Sequence, residues 1–156
     1  MNAIVMMDYD YCIGINGDQV LHIRDDLQRF KELTTGKYVV YGRKTLETFP
    51  NKKPLPNRKN IIISETMNKM EALKYDTNTV IVNNIDDMGD YYHRIHGKDA
   101  RINSYALFPD FSTYNQKYKI GNVNADFTLI NMEDKIVKCK ELDNTIRISY
   151  NEYVRL

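Results

Sequence analysis

Residues 38–64 read YVVYGRKTLETFPNKKPLPNRKNIIIS, and this stretch decides the fold class. It opens on YVVY and closes on NIIIS, two short runs that are continuously apolar or aromatic rather than alternating. A strand covered on both faces needs apolar residues at successive positions, whereas a strand with one wet face alternates. Residues 3–7 (AIVMM) and 79–82 (TVIV) have the same character. Helix-like stretches lie between these runs, a pattern that predicts an α/β domain with a mostly parallel central sheet and flanking helices. Over residues 25–34, helical spacing puts Ile23, Leu27, Phe30 and Thr34 on one face, with Asp25 placed as cap and Gln28 three residues on. A second helix over residues 86–96 has Ile85, Met88, Tyr92 and Ile95 as its apolar stripe. Its acids, Asp86 and Asp87, come first; its cations, His93, Arg94 and His96, come last, and Gly97 suits a left-handed stop. Residues 117–127, 135–141 and 145–154 partly alternate, which predicts an antiparallel C-terminal edge.

The 156 residues suit a single domain over residues 1–156. Lys and Arg number 22 against 21 Asp and Glu, so no strong field draws the chain to nucleic acid or to an anionic membrane. Two cysteines, Cys12 and Cys139, make neither a disulfide framework nor a zinc set, and no metal is expected. No apolar run approaches the ~18 residues of a membrane span, and no basic region followed by an apolar stretch opens the chain. A soluble cytoplasmic protein is the expectation.

Three places could carry chemistry. Asp26 falls in the first turn of a helix beside Ile23, Leu27 and Phe30. Desolvation there raises a carboxyl's pKa while the helix N-terminus lowers it, a balance that suits proton relay; capping alone also puts acids in first turns. Gly42-Arg43-Lys44-Thr45 ends a strand and opens a helix, so backbone amides, two cations and a hydroxyl could cradle phosphate, though a solvated basic helix start reads the same way. Arg58 follows Pro54-Leu55-Pro56-Asn57; the prolines stiffen the loop, and a guanidinium held so suits a ligand carboxylate, although a surface arginine would look alike. Residues 8–23, with Gly14, Asn16 and Gly17, form a connection longer than the ~12–15 residues usual without structure, as lids over sites do.

Taken in order, these pieces resemble the dihydrofolate reductase family. The resemblance rests on AIVMM, the Ile13-Gly14 step, the long loop, Asp26-Leu27 with Phe30-Lys31 and Thr34, then Gly42-Arg43-Lys44-Thr45, Leu55-Pro56 and Arg58-Lys59-Asn60-Ile61-Ile62. It implies a single-domain fold of that family and reduction of 7,8-dihydrofolate by a nicotinamide dinucleotide, NADPH. It further implies that Asp26 promotes protonation of the pterin, that Phe30 packs on the substrate, and that Phe49 and Leu55 wall the aminobenzoyl group. Arg58 would clamp the glutamate carboxylate, and the backbone of Val5, Met6 and Ile13 would line the pterin and nicotinamide sites. Gly14, Gly42, Arg43, Lys44, Thr45, Ser64, Glu65, Ile102, Asn103 and Ser104 would border the cofactor. A monomer taking a small folate, with no nucleic-acid or membrane partner, completes what the resemblance implies.

Some residues depart from the family's pattern. Asn103-Ser104 stands for two glycines that follow a strand and approach the cofactor pyrophosphate, and side chains there obstruct close backbone approach. Leu21 replaces a usual tryptophan, Gly121 a usual threonine, and no acidic, threonine-containing turn is recognisable around Thr128. Glu65 lies beside the position that meets the cofactor's 2′-phosphate and would repel it, which opens the way to NADH. The alternative is a reductase-like protein that kept the fold, lost the cofactor, and serves as a pterin-binding or structural component.

Overall fold

The computed structural model describes the backbone of residues 2–7, 23–102, 104–107, 127–139 and 144–155. These residues fall in two compact units, Thr34–Asp110 and Asn2–Leu33 with Phe111–Leu156.

In the first unit four parallel strands lie in the order β4-β3-β2-β5. They are β2 (Tyr38–Gly42), β3 (Lys59–Ile63), β4 (Thr79–Val82) and β5 (Ser104–Leu107). The register sets Val40 beside Ile61 and Ala106, and Ile62 beside Ile81. Successive side chains leave a strand on opposite faces, so the continuous runs YVVY and NIII fill both sides of the sheet. Val39, Ile61 and Ile62 have no exposed surface. One buried cluster joins Val39, Tyr41, Leu46, Ile62, Ala72 and Ile81, with Phe49, Leu55, Met67 and Tyr75 packed against it.

Helix α3 (Ile85–His96) buries Met88 and Tyr92, and Tyr92 meets Tyr38 edge-on at 5.2 Å. The helix starts one residue earlier than its charges suggest, because Asn84 supplies the cap: its Oδ1 accepts from the Asp87 amide at 2.8 Å. Gly97 ends it at φ 102°, a conformation that glycine adopts without cost. At this end the Tyr38 hydroxyl and His96 Nε2 are 3.0 Å apart. Helix α2 (Arg43–Thr48) leaves β2 at Gly42 and buries Thr45 and Leu46.

The second unit holds β1 (Asn2–Met7), the bulk of α1 (Arg24–Thr34), β6 (Phe127–Cys139) and β7 (Asn144–Arg155). Its strands run antiparallel in the order β1-β7-β6.

Three expectations need correction. Helix α1 begins at Arg24, so Asp25 is inside the first turn with Asp26 rather than at the cap. Leu27 is 50% exposed and does not belong to the core stripe that Ile23, Asp26 and Thr34 join. Of the strand expected over residues 135–141, the described residues 135–139 are not separate. They continue one that starts at Phe127, because the backbone ladder carries through the polar stretch with Glu133 opposite Tyr150 and Asp134 opposite Ser149. Within residues 117–127 only Phe127 is described.

Candidate active site

Asp26 is the one acid of α1 that is buried, with 8% of its surface exposed, while Asp25 beside it is exposed. Burial raises its pKa from the ordinary 3.8 to about 6, against a smaller lowering by the Arg29 cation one turn on. Asp26 therefore exchanges its proton near neutral pH, as a relay group must. Phe30 follows four residues later on the same helix face, half-buried.

The other residues expected around a substrate are in the first unit. The Phe49 ring stands edge-on to Tyr41 at 5.0 Å, and Leu55 packs beside it on the same core cluster. Arg58 is buried rather than projecting from its loop. Its Nε donates to Thr34 Oγ1 at 3.1 Å and its Nη1 to the Pro56 carbonyl at 2.7 Å. Thr34, wholly buried, is the last residue of α1.

Asn60 is a residue that sequence reasoning left as mere strand. It has no exposed surface. Its Oδ1 accepts from the Tyr41 hydroxyl at 2.8 Å and the Leu55 amide at 3.1 Å. Its Nδ2 donates to the carbonyls of Leu55 at 2.9 Å and Arg58 at 3.3 Å. A primary amide has two acceptor and two donor positions, and all four are filled. Burial also pushes the Tyr41 phenol far above its ordinary pKa, so it stays a neutral donor to Asn60. The signal was a single amide heading an apolar strand, since a buried amide needs partners.

Among residues expected to face a cofactor, Gly42 opens α2 in an extended conformation with no side-chain cap. Arg43 pairs with Glu47 along the helix, and Lys44 is exposed. Thr45 Oγ1 is buried without a hydrogen-bond partner among the described residues. Ser64 is buried, and its hydroxyl accepts from the amides of Thr66 at 3.3 Å and Met67 at 3.1 Å, which folds the chain so that Glu65 is exposed.

Ser104 does not stand where a glycine would follow a strand. It is the first residue of β5, paired beside Tyr38, so it opens a strand rather than following one. The physical reason is composition: SYAL can fill a buried parallel ladder, while Asp99-Ala100-Arg101 cannot. Ile102 lies in the irregular lead-in, half-buried. Val5 and Met6 are in β1, opposite Asn151 and Tyr150. Ile13, Gly14, Leu21, Asn103 and Gly121 lie outside the described residues.

Among the described residues no helix is long and apolar enough to cross a membrane, and no three His, Cys, Asp or Glu gather as a metal site would require.

Comparison with known proteins adds a family match and three relatives. A family model described as dihydrofolate reductase matches residues 1–135. A bifunctional dihydrofolate reductase-thymidylate synthase of Paramecium tetraurelia is 35% identical over 109 residues, 70% of this chain and 22% of that protein. The dihydrofolate reductase of Bacillus subtilis is 43% identical over 64 residues (41% of this chain, 37% of the relative), and that of Staphylococcus aureus 33% over 89 (56% and 51%). The chain thus spans about half or less of the curated relatives it matches.

Proposed function

The chain belongs to the dihydrofolate reductase family, and on that premise we propose that it reduces 7,8-dihydrofolate to tetrahydrofolate with Asp26 as the group that promotes protonation of the substrate. The observation that carries this reading is the burial of Asp26, which holds its pKa at about 6. At pH 7 about one molecule in ten then carries the proton on Asp26, enough to pass it to a ring nitrogen that is about to receive hydride. The buried carboxyl both orients the pterin by accepting its N–H groups and raises its affinity for the proton.

Phe30 would pack on the substrate, Phe49 and Leu55 would wall the aminobenzoyl group, the backbone of Val5 and Met6 would line the pterin site, and Arg58 would clamp the glutamate carboxylate. A reduced nicotinamide dinucleotide supplies the hydride when bound. The residues present fit its phosphates. The start of α2 lacks a side-chain cap, and Thr45 Oγ1 has bonding capacity that no described residue uses. Arg43 and Lys44 add positive charge there, and the exposed Glu65 opposes a 2′-phosphate, so NADH competes with NADPH. The alternative, a fold that has lost its cofactor, drew chiefly on Asn103-Ser104; with β5 starting at Ser104 the sequence after the strand is Phe108-Pro109, again without two glycines, so dinucleotide binding is what separates the two readings.

The test is turnover of dihydrofolate by the purified chain with each dinucleotide, followed by loss of nicotinamide absorbance. Turnover that Asp26→Asn abolishes at pH 7 supports the reading. No saturable dinucleotide binding below millimolar, or turnover indifferent to Asp26→Asn, overturns it.

A further inference from the structure

We propose that Asn60 is a positioning residue for the substrate's carboxylate end: its side-chain amide fixes the spacing between Leu55, the apolar wall, and Arg58, the carboxylate clamp. This rests on the folate reading above and adds a residue to it.

The argument begins with the loop. Pro54 and Pro56 have no amide N–H, so between them only Leu55 can donate a backbone hydrogen bond. That single donor, and the carbonyl of the same residue, both meet the Asn60 side chain, at 3.1 and 2.9 Å. The primary amide acts here as one peptide unit of a neighbouring strand would, pairing Leu55 N–H and C=O together. Its second Nδ2 bond, 3.3 Å to the Arg58 carbonyl, ties the other end of the loop to the same group. The orientation is unambiguous, because the Leu55 amide can only donate and its carbonyl can only accept. Tyr41 then locks the amide from behind through its hydroxyl, while its ring supports Phe49. Phe49, Leu55 and Arg58, three residues proposed to meet the substrate, thus share one support made of Asn60 and Tyr41.

Asn60→Asp keeps the volume and both acceptor positions but replaces the Nδ2 donors with an oxygen facing two carbonyls. The loop is then released at Leu55 and Arg58, and Arg58 loses its fixed distance from the wall. The experiment compares the dissociation constants of folate and of pteroate, which lacks the glutamate, by tyrosine fluorescence quenching on the full chain. Exchange of the Leu55 amide is followed in parallel. The native protein is expected to prefer folate by about tenfold, the scale of one charge-assisted pair, and Asn60→Asp to bring the two ligands within about threefold while Leu55 exchanges faster. A role confined to stability would weaken both ligands alike and leave their ratio unchanged. A tenfold preference kept by Asn60→Asp overturns the proposal and leaves the folate reading standing, as does equal binding of both ligands by the native protein. A native protein that binds neither ligand overturns the folate reading and this proposal with it. Should Asn60→Asp fail to fold, Tyr41→Phe removes only the hydroxyl that locks the amide. Its folate preference is expected to fall about threefold, and an unchanged preference overturns the proposal.

Discussion

Asp26→Asn should make this protein more stable and nearly inactive at the same time. The folded state holds the Asp26 proton with a pKa of about 6, whereas the ordinary value is 3.8. Between those pH values the folded chain binds a proton that the unfolded chain has released, so the group's contribution to stability falls as pH rises through that window. Above about pH 7 the cost is complete, and the two values correspond to about 3 kcal/mol. Asparagine, neutral at every pH, avoids this cost, in which the attractions of the ionised carboxylate are already counted. The net gain is about 3 kcal/mol at pH 8, shrinking to nothing near pH 4. Urea unfolding followed by circular dichroism, on both proteins from pH 4 to pH 8, reads the difference directly. Turnover at pH 7 should fall by about 10²–10⁴, the range for a lost proton-transfer group. A variant no more stable than the native protein at pH 8, or a stability difference that does not change with pH, refutes the assignment of a buried, costly charge to Asp26.

Further outcomes follow from the other polar groups. Thr45→Val removes a buried hydroxyl with no partner among the described residues, so unfolding should cost about 1 kcal/mol more while dinucleotide binding weakens several-fold; both are measured on one sample by melting with and without NADPH. Glu65→Gln should raise the ratio of NADPH to NADH kcat/KM by roughly threefold at low ionic strength, an effect that fades with salt. Asn84→Ala removes the cap of α3 and should lower stability by about 1 kcal/mol in urea, with turnover unchanged. Met88→Ala opens a cavity where only 1% of the side chain is exposed and should cost about 2–5 kcal/mol.

What the sequence made legible is local. Strands β1 to β4 follow from continuous β-branched runs, and α3 follows from its stripe, its charge order and Gly97, because each of these depends on neighbours a few residues away. The misreadings are of a different kind. Spacing places Asp25 at the cap and Leu27 in the apolar stripe, whereas α1 begins at Arg24 and leaves Leu27 50% exposed. The start of β5 at Ser104 depends on pairing with Tyr38, far away in the chain, and the join of residues 127–139 into one strand depends on the matching length of β7. The same distance separates the two meanings of a buried polar residue. Asn60 has all four bonding positions filled by other parts of the loop and sheet, so its polarity serves the scaffold. Asp26 keeps a carboxyl that burial leaves poorly solvated, and Thr45 a hydroxyl with no partner among the described residues, so in both the demand outlasts folding. A group whose demand is met within the fold holds other residues in place. One whose demand outlasts folding is where a ligand's own donors and acceptors add most, and that is why Asp26 and Thr45, rather than the more polar surface, are the positions to test first.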